Sequence, residues 1–265
     1  MTPSIFSDGP IAVDILDQVA RLTIMRADYN NSISNGVRQG LLDAFEWIAS
    51  LSDIRVLIIE GEGEDTFSIG ADVEEYSTMS AEDLRQSALL TKQVHEQLAR
   101  LPMVTVAAIK GACTGAGFEL ALHCDIRFAR DDARFGFPGI TMGLTSGGNA
   151  LWRLSQLIGA GPARALALTG GVISAERAFM VGVITNILKD EDYDNHIDGL
   201  INHLIELSPH AVARTKAMMN RALSGSQSDV AALGVDALAA CFDEGEASQS
   251  VADMFGGAGP DTTVH

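Results

Sequence analysis

Residues 104–129 read VTVAAIKGACTGAGFELALHCDIRFA, and four kinds of segment follow one another within them. Val104–Ile109 is an apolar run rich in β-branched residues, the composition of a buried strand. Gly111–Gly117 is a loop of small residues, an apolar helix is expected from about Phe118 to Cys124, and Ile126–Ala129 reads as a further short strand. Strand, glycine loop, helix and strand in this order predict an α/β fold. In such folds ligands sit at the strand ends.

The segments on either side agree. Ile11–Val13 and Val19–Ile24 read as a hairpin with a polar turn over Asp14–Asp17, and Val37, Leu41, Phe45 and Ile48 recur at helical spacing between Asn35-Gly36 and Ser52-Asp53. Val56–Ile59 is a second buried strand. Ser80 with Asp83 marks a helix start, Leu84, Ala88, Val94, Leu98 and Leu101 form its stripe, and Pro102 ends it. Ser174 caps a helix ending near Gly182, Ser208-Pro209 opens another through Leu223, and Asp229–Phe242 forms a third, so the last third of the chain is mostly helical. The tail from Gly256 to His265 has nothing to bury and is expected to fray.

Composition bounds the function. With 265 residues, 47% hydrophobic and 20% charged, the chain can bury a full core, which excludes a disordered segment or a disulfide-stapled miniprotein. A net charge of −17 argues against nucleic acid and anionic membranes as partners, and no basic run offsets it. Cys113, Cys124 and Cys241 have neither disulfide-framework nor zinc-ribbon spacing. No uncharged apolar run approaches the ~18 residues of a membrane span, and MTPSIFSDGP lacks a secretory pattern. A soluble, cytoplasmic protein is expected.

Two glycine-bearing turns follow strands: Thr66–Asp72 and Gly111–Leu120. Small residues at a helix start expose backbone N–H groups to a developing negative charge, the outline of an oxyanion hole. The alternative is that these glycines only permit tight turns and close packing. The second loop spaces its glycines GxxxGxG, not the dinucleotide GxGxxG, and no Gly-Lys-Ser/Thr forms a phosphate loop.

Several motifs in order resemble the crotonase superfamily, the enoyl-CoA hydratase/isomerase family, from about Val13 to Asn186. Phe67-Ser68-Ile69-Gly70-Ala71-Asp72 resembles its FSAGAD turn, and Gly111 through Asp125 resembles its GxxxGGGxELALxCD segment. Ala133–Gly136, Leu168-Thr169-Gly170, Ile173-Ser174-Ala175 and Val181–Ile184 match as well. The resemblance implies a crotonase-type ββα spiral core over residues 1–200 and a helical region over 201–265 that builds trimers or dimers of trimers. It implies an acyl-CoA substrate, with no cofactor beyond the coenzyme A that the substrate carries. By that carry-over Ala71 and Ala116 donate backbone N–H bonds to the thioester oxygen. Ile69, Gly70, Gly115 and Gly139 are further substrate-binding positions, and Arg26, Tyr29 and Asn30 stand near the coenzyme A entrance. Trp152 is a candidate lining of the acyl pocket, with core filling as the alternative.

The chain also departs from the family. Its hydratases hold water between two carboxylates, and here Glu119 occupies the first position while Gly139 stands at the second, in Phe135-Gly136-Phe137-Pro138-Gly139. No acid lies between Arg134 and Trp152, and Asp131 and Asp132 read as solvated turn residues. One carboxylate suits double-bond isomerisation, or decarboxylation of a malonyl-type thioester, better than hydration. A helix-capping role is the alternative for Glu119. His123, four residues after Glu119, reads as packed or surface, and no histidine spacing makes a metal site. Asp72 and Asp125 are expected to be structural. The segment from Asp243 to Gly256 is acidic where the family commonly places basic residues for the coenzyme A phosphates. A non-catalytic acyl-CoA binder and a hydrolase of a non-thioester diketone are the competing readings. RNA binding, known in the superfamily, is disfavoured by the charge.

Overall fold

Val56–Ile59 has no polar face, and both of its faces are covered: Leu57 and Ile59 point into one buried cluster, Val56 and Ile58 into another. In the computed structural model, which describes residues 4–256 apart from residue 244, this run lies near the middle of a seven-stranded sheet. The chain begins with β1 (Ser4–Asp8), β2 (Ile11–Leu16) and β3 (Val19–Ile24), all antiparallel, then forms α1 (Asn35–Ala49) and β4 (Val56–Gly61). The hairpin turn is tighter than expected, with Asp17 at a left-handed φ of 52°, and β2 therefore runs on through Asp14 to Leu16.

A repeating pattern then takes over. β4 is followed by the short β5 (Thr66–Ser68), α2 (Val73–Tyr76) and α3 (Ala81–Arg100); then come β6 (Val104–Ile109), β7 (Ala112–Thr114) and α4 (Gly115–His123). The next turn is β8 (Ile126–Arg130), β9 (Arg134–Gly136), α5 (Ala150–Ile158) and α6 (Ala160–Thr169). Next come β10 (Val172–Ser174), α7 (Ala175–Val181), β11 (Asn186–Leu188) and α8 (Tyr193–Ile205). The long strands join the large sheet in the order β1-β2-β3-β4-β6-β8-β11, parallel from β3 onward. The short ones form a second sheet, β10-β9-β7-β5. One long strand, one short strand and helix per turn is the ββα spiral that the motifs implied.

Local chemistry explains the boundaries. The Ser80 hydroxyl accepts from Asp83 N while the Asp83 carboxylate accepts from Ser80 N, closing the capping box that starts α3. The Asp72 carboxylate caps α2 and Ser174 caps α7. Gly111–Gly117 is not one loop: β7 and the first turn of α4 are made from it, so the helix starts three residues before Phe118.

The chain divides into two compact units, the first ending at Ile205 and the second beginning at Glu206. The second contains α9 (Pro209–Ala222), α10 (Gln227–Asp243) and α11 (Glu246–Gly256). Most of the acidic stretch after Asp243 is thus helical, and the expectation for the tail beyond Gly256 falls outside the described residues. No described helix is long and apolar enough to cross a membrane. None of the three cysteines forms a disulfide.

Candidate active site

The short strands β5 and β7 pair in parallel, Thr66 with Ala112 and Ser68 with Cys113, which brings the turns after them side by side. Thr114 Oγ1 donates to Ile69 O at 2.8 Å and ties the two turns together. At Gly70, φ is +112°, and a Cβ there would stand 3.3 Å from Ala116 N, crowding the space in front of that amide. At Gly117 a Cβ would lie 2.4 Å from that of Ser68, so only glycine lets α4 begin against β5.

Two amides are left over by this arrangement. Ile33 donates to Gly70 O at 2.7 Å and accepts from Asp72 N at 3.1 Å, a parallel bridge that turns the intervening Ala71 N–H away from Ile33. Ala116 is the second residue of α4, where an N–H has no partner one turn earlier. Both residues line one cavity of about 380 Å³. Its mouth carries exposed apolar side chains, among them Ile69, Val73 and Met142, and its floor the buried Glu119, Phe137, Thr91 and Arg38.

Glu119 lies three residues past Ala116 on α4, hence on the same helix face. It is 5% exposed. Burial pushes its carboxyl up to about 7, against smaller opposing pulls from the Ser146 hydroxyl and the Arg38 guanidinium. Ser146 stands near enough to Glu119 to exert that pull, yet its buried Oγ finds no partner at hydrogen-bonding geometry. Among the described residues, no other Asp or Glu lines the cavity. A buried carboxyl that can hold or release a proton near neutrality, facing two free amide donors, can move a proton beside a carbonyl whose oxygen the amides hold.

The sequence profile of the enoyl-CoA hydratase/isomerase family matches residues 14–255. The chain belongs to that family, within the crotonase superfamily. It is 30% identical over 225 residues to a short-chain-enoyl-CoA hydratase of Clostridium acetobutylicum, covering 85% of this chain and 86% of that one. It is 27% identical over 231 residues to a crotonyl-CoA hydratase of Syntrophomonas wolfei, covering 86% and 89%. Among solved structures, an enoyl-CoA hydratase of Bacillus anthracis superposes with a TM-score of 0.89 at 26% identity, covering 93% of this chain and 96% of that one.

Of the family positions read from the sequence, Ile69, Ala71, Gly115, Ala116, Glu119 and Gly139 line the cavity, and Gly70 packs between the two turns. Arg26, Tyr29 and Asn30 lie outside it. Arg26 pairs with Asp72 at 2.9 Å and sits 4.7 Å from the Tyr29 ring centre, and Asn30 O accepts from Ile69 N. Trp152 is 45% exposed on α5 and does not line the cavity; Leu151 does. Asp72 and Asp125 make structural bonds, the latter accepting from Thr105 N and Oγ1 at 2.8 Å each. His123 is packed: its Nδ1 donates to Glu119 O at 2.8 Å, and its ring stacks on buried His95 at 4.1 Å. Sequence reasoning missed Arg38, Tyr76, Thr91 and Ser146 as cavity residues. The α1 stripe ran beside Arg38, and a polar residue next to an apolar stripe ordinarily signals solvent.

Proposed function

We propose that this enzyme acts on an acyl-CoA thioester, with the N–H groups of Ala71 and Ala116 binding the thioester oxygen and Glu119 as its sole acid and base. That Glu119 is the one carboxylate at the cavity among the described residues is the observation that carries this reading. Moving a double bond needs one group that takes a proton from one carbon and returns it to another, while the N–H pair holds the enolate oxygen. Each donor contributes on the order of 2.7–4 kcal/mol at the transition state. Decarboxylation of a malonyl-type thioester forms the same enolate by loss of carbon dioxide, with Glu119 protonating the carbon. Both fit one carboxylate better than hydration does. The names of the relatives favour hydration as a second reading, which requires another group beside Glu119 to hold the water. Ser146, with its unpartnered hydroxyl, is the candidate.

The reading includes no metal or cofactor beyond substrate coenzyme A, a cytoplasmic location in keeping with cysteines outside disulfides, and self-association as a trimer or dimer of trimers. The test follows absorbance of the conjugated enoyl group. A 3-enoyl-CoA gains absorbance on isomerisation, a 2-enoyl-CoA loses it on hydration, and malonyl-type thioesters release carbon dioxide. Loss of activity in Glu119→Gln supports the assignment. Hydration that survives in that variant overturns it, and tight binding of thioesters without turnover of any would make the chain a binder.

A further inference from the structure

The cavity floor holds a guanidinium whose hydrogen-bonding capacity its protein surroundings leave incompletely used. Arg38 projects from α1, whose other buried side chains include Val37, Leu41, Phe45 and Ile48, and it is 2% exposed. Guanidinium does not give up its proton in proteins, so its charge must be met where it stands. Its Nε donates to Thr91 Oγ1 at 2.8 Å, Nη1 to Asn35 Oδ1 at 3.2 Å and Nη2 to Tyr76 Oη at 3.3 Å, all neutral acceptors. Guanidinium has five N–H donors, so two remain without a hydrogen bond. Glu75 forms an ion pair with it at 3.9 Å from Nη1, too long for a hydrogen bond, and its oxygens take the Asn35 N–H instead. Glu119 forms no ion pair with Arg38, although it senses the charge.

Thr91 and Tyr76, which hold the guanidinium, line the same cavity as Ala71, Ala116 and Glu119. Apolar side chains occupy the space toward the mouth. A plain alkyl chain would leave the spare N–H groups facing hydrocarbon, whereas a carboxylate at the end of a short chain would accept from both. We infer that the acyl group of the substrate ends in a carboxylate held by Arg38. This specificity rests on the thioester reading and narrows it to monothioesters of dicarboxylic acids.

Calorimetric titration of the full chain with succinyl-CoA against butyryl-CoA, and glutaryl-CoA against pentanoyl-CoA, tests it. At least one dicarboxylic thioester should bind about tenfold to a hundredfold tighter than its alkyl counterpart, the range of a hydrogen bond to a charged group. That ratio should fall toward one in Arg38→Met and be partly kept in Arg38→Lys, which retains charge without the planar fork. Equal affinities within both pairs in the unmodified protein overturn the inference and leave the thioester reading standing. So does a preference that persists in Arg38→Met with an unchanged circular dichroism spectrum. If no thioester binds, the thioester reading fails and takes this inference with it.

Discussion

A carboxyl at a buried position one turn into a helix is held between two demands: water would stabilise its charge, and catalysis needs that charge within reach of carbon. At Glu119, burial sets that balance by pushing the carboxyl up to about 7. On the isomerase reading Glu119 acts as a base and must be ionised, so kcat/KM should rise with pH up to about 7 and level off above it. Glu119→Gln should lower the rate about 10²–10⁴-fold and remove that limb, and a pH series of initial rates checks both. Gly139 allows the converse experiment. A Cβ there would touch only Leu144, at 3.7 Å, and its backbone is not left-handed, so Gly139→Glu can be accommodated. It should raise hydration of a 2-enoyl-CoA relative to isomerisation of a 3-enoyl-CoA, read from the two absorbance assays. Glu119 and Gly139 were legible as cavity residues because each falls inside a spaced motif. Arg38 and Ser146 were not, because long-range packing alone turns them inward.

At the scale of elements, the first turn of α4 joins packing to chemistry. Proline is accepted in a helix's first turn, so Ala116→Pro removes one N–H while keeping the helix. The expected result is a fall in kcat of about 10²–10³-fold with an unchanged circular dichroism spectrum. Gly117→Ala should instead act on stability, since its methyl would meet Ser68; a loss of roughly 1–3 kcal/mol in urea unfolding is expected. The long elements were readable from apolar period and caps: the Ser80–Asp83 box, the Val56–Ile59 run and the Ser174 cap each mark real boundaries. The short sheet was not. Three-residue strands such as β5, β7 and β9 are too brief to show alternation, and their pairing depends on neighbours distant in sequence.

At the scale of the molecule, the second unit leaves an apolar stripe uncovered. Val235, Leu238 and Phe242 share one face of α10, and Leu238 is 75% exposed. Light scattering on a sizing column should find a trimer or its multiple, with Val235→Glu/Leu238→Glu shifting it toward monomer. Stability also belongs to the whole chain, and here the His95–His123 stack has a further effect. Burial keeps both imidazoles neutral, His123 down to about 4 and His95 well below its ordinary value. Once unfolded, both would take protons below about pH 6.5. Glu119 works the other way, protonated in the native state below about 7 but only below 4.5 when unfolded. Between pH 6.5 and 4.5, then, unfolding takes up protons at both imidazoles and gives up part of one at the carboxyl. Through these three groups, acidification below about pH 6.5 lowers stability. Melting temperatures measured from pH 7 to 5 should fall accordingly, and less steeply in His123→Gln. Acid thus loosens the packing beneath the helix that carries Glu119, from its own C-terminal end.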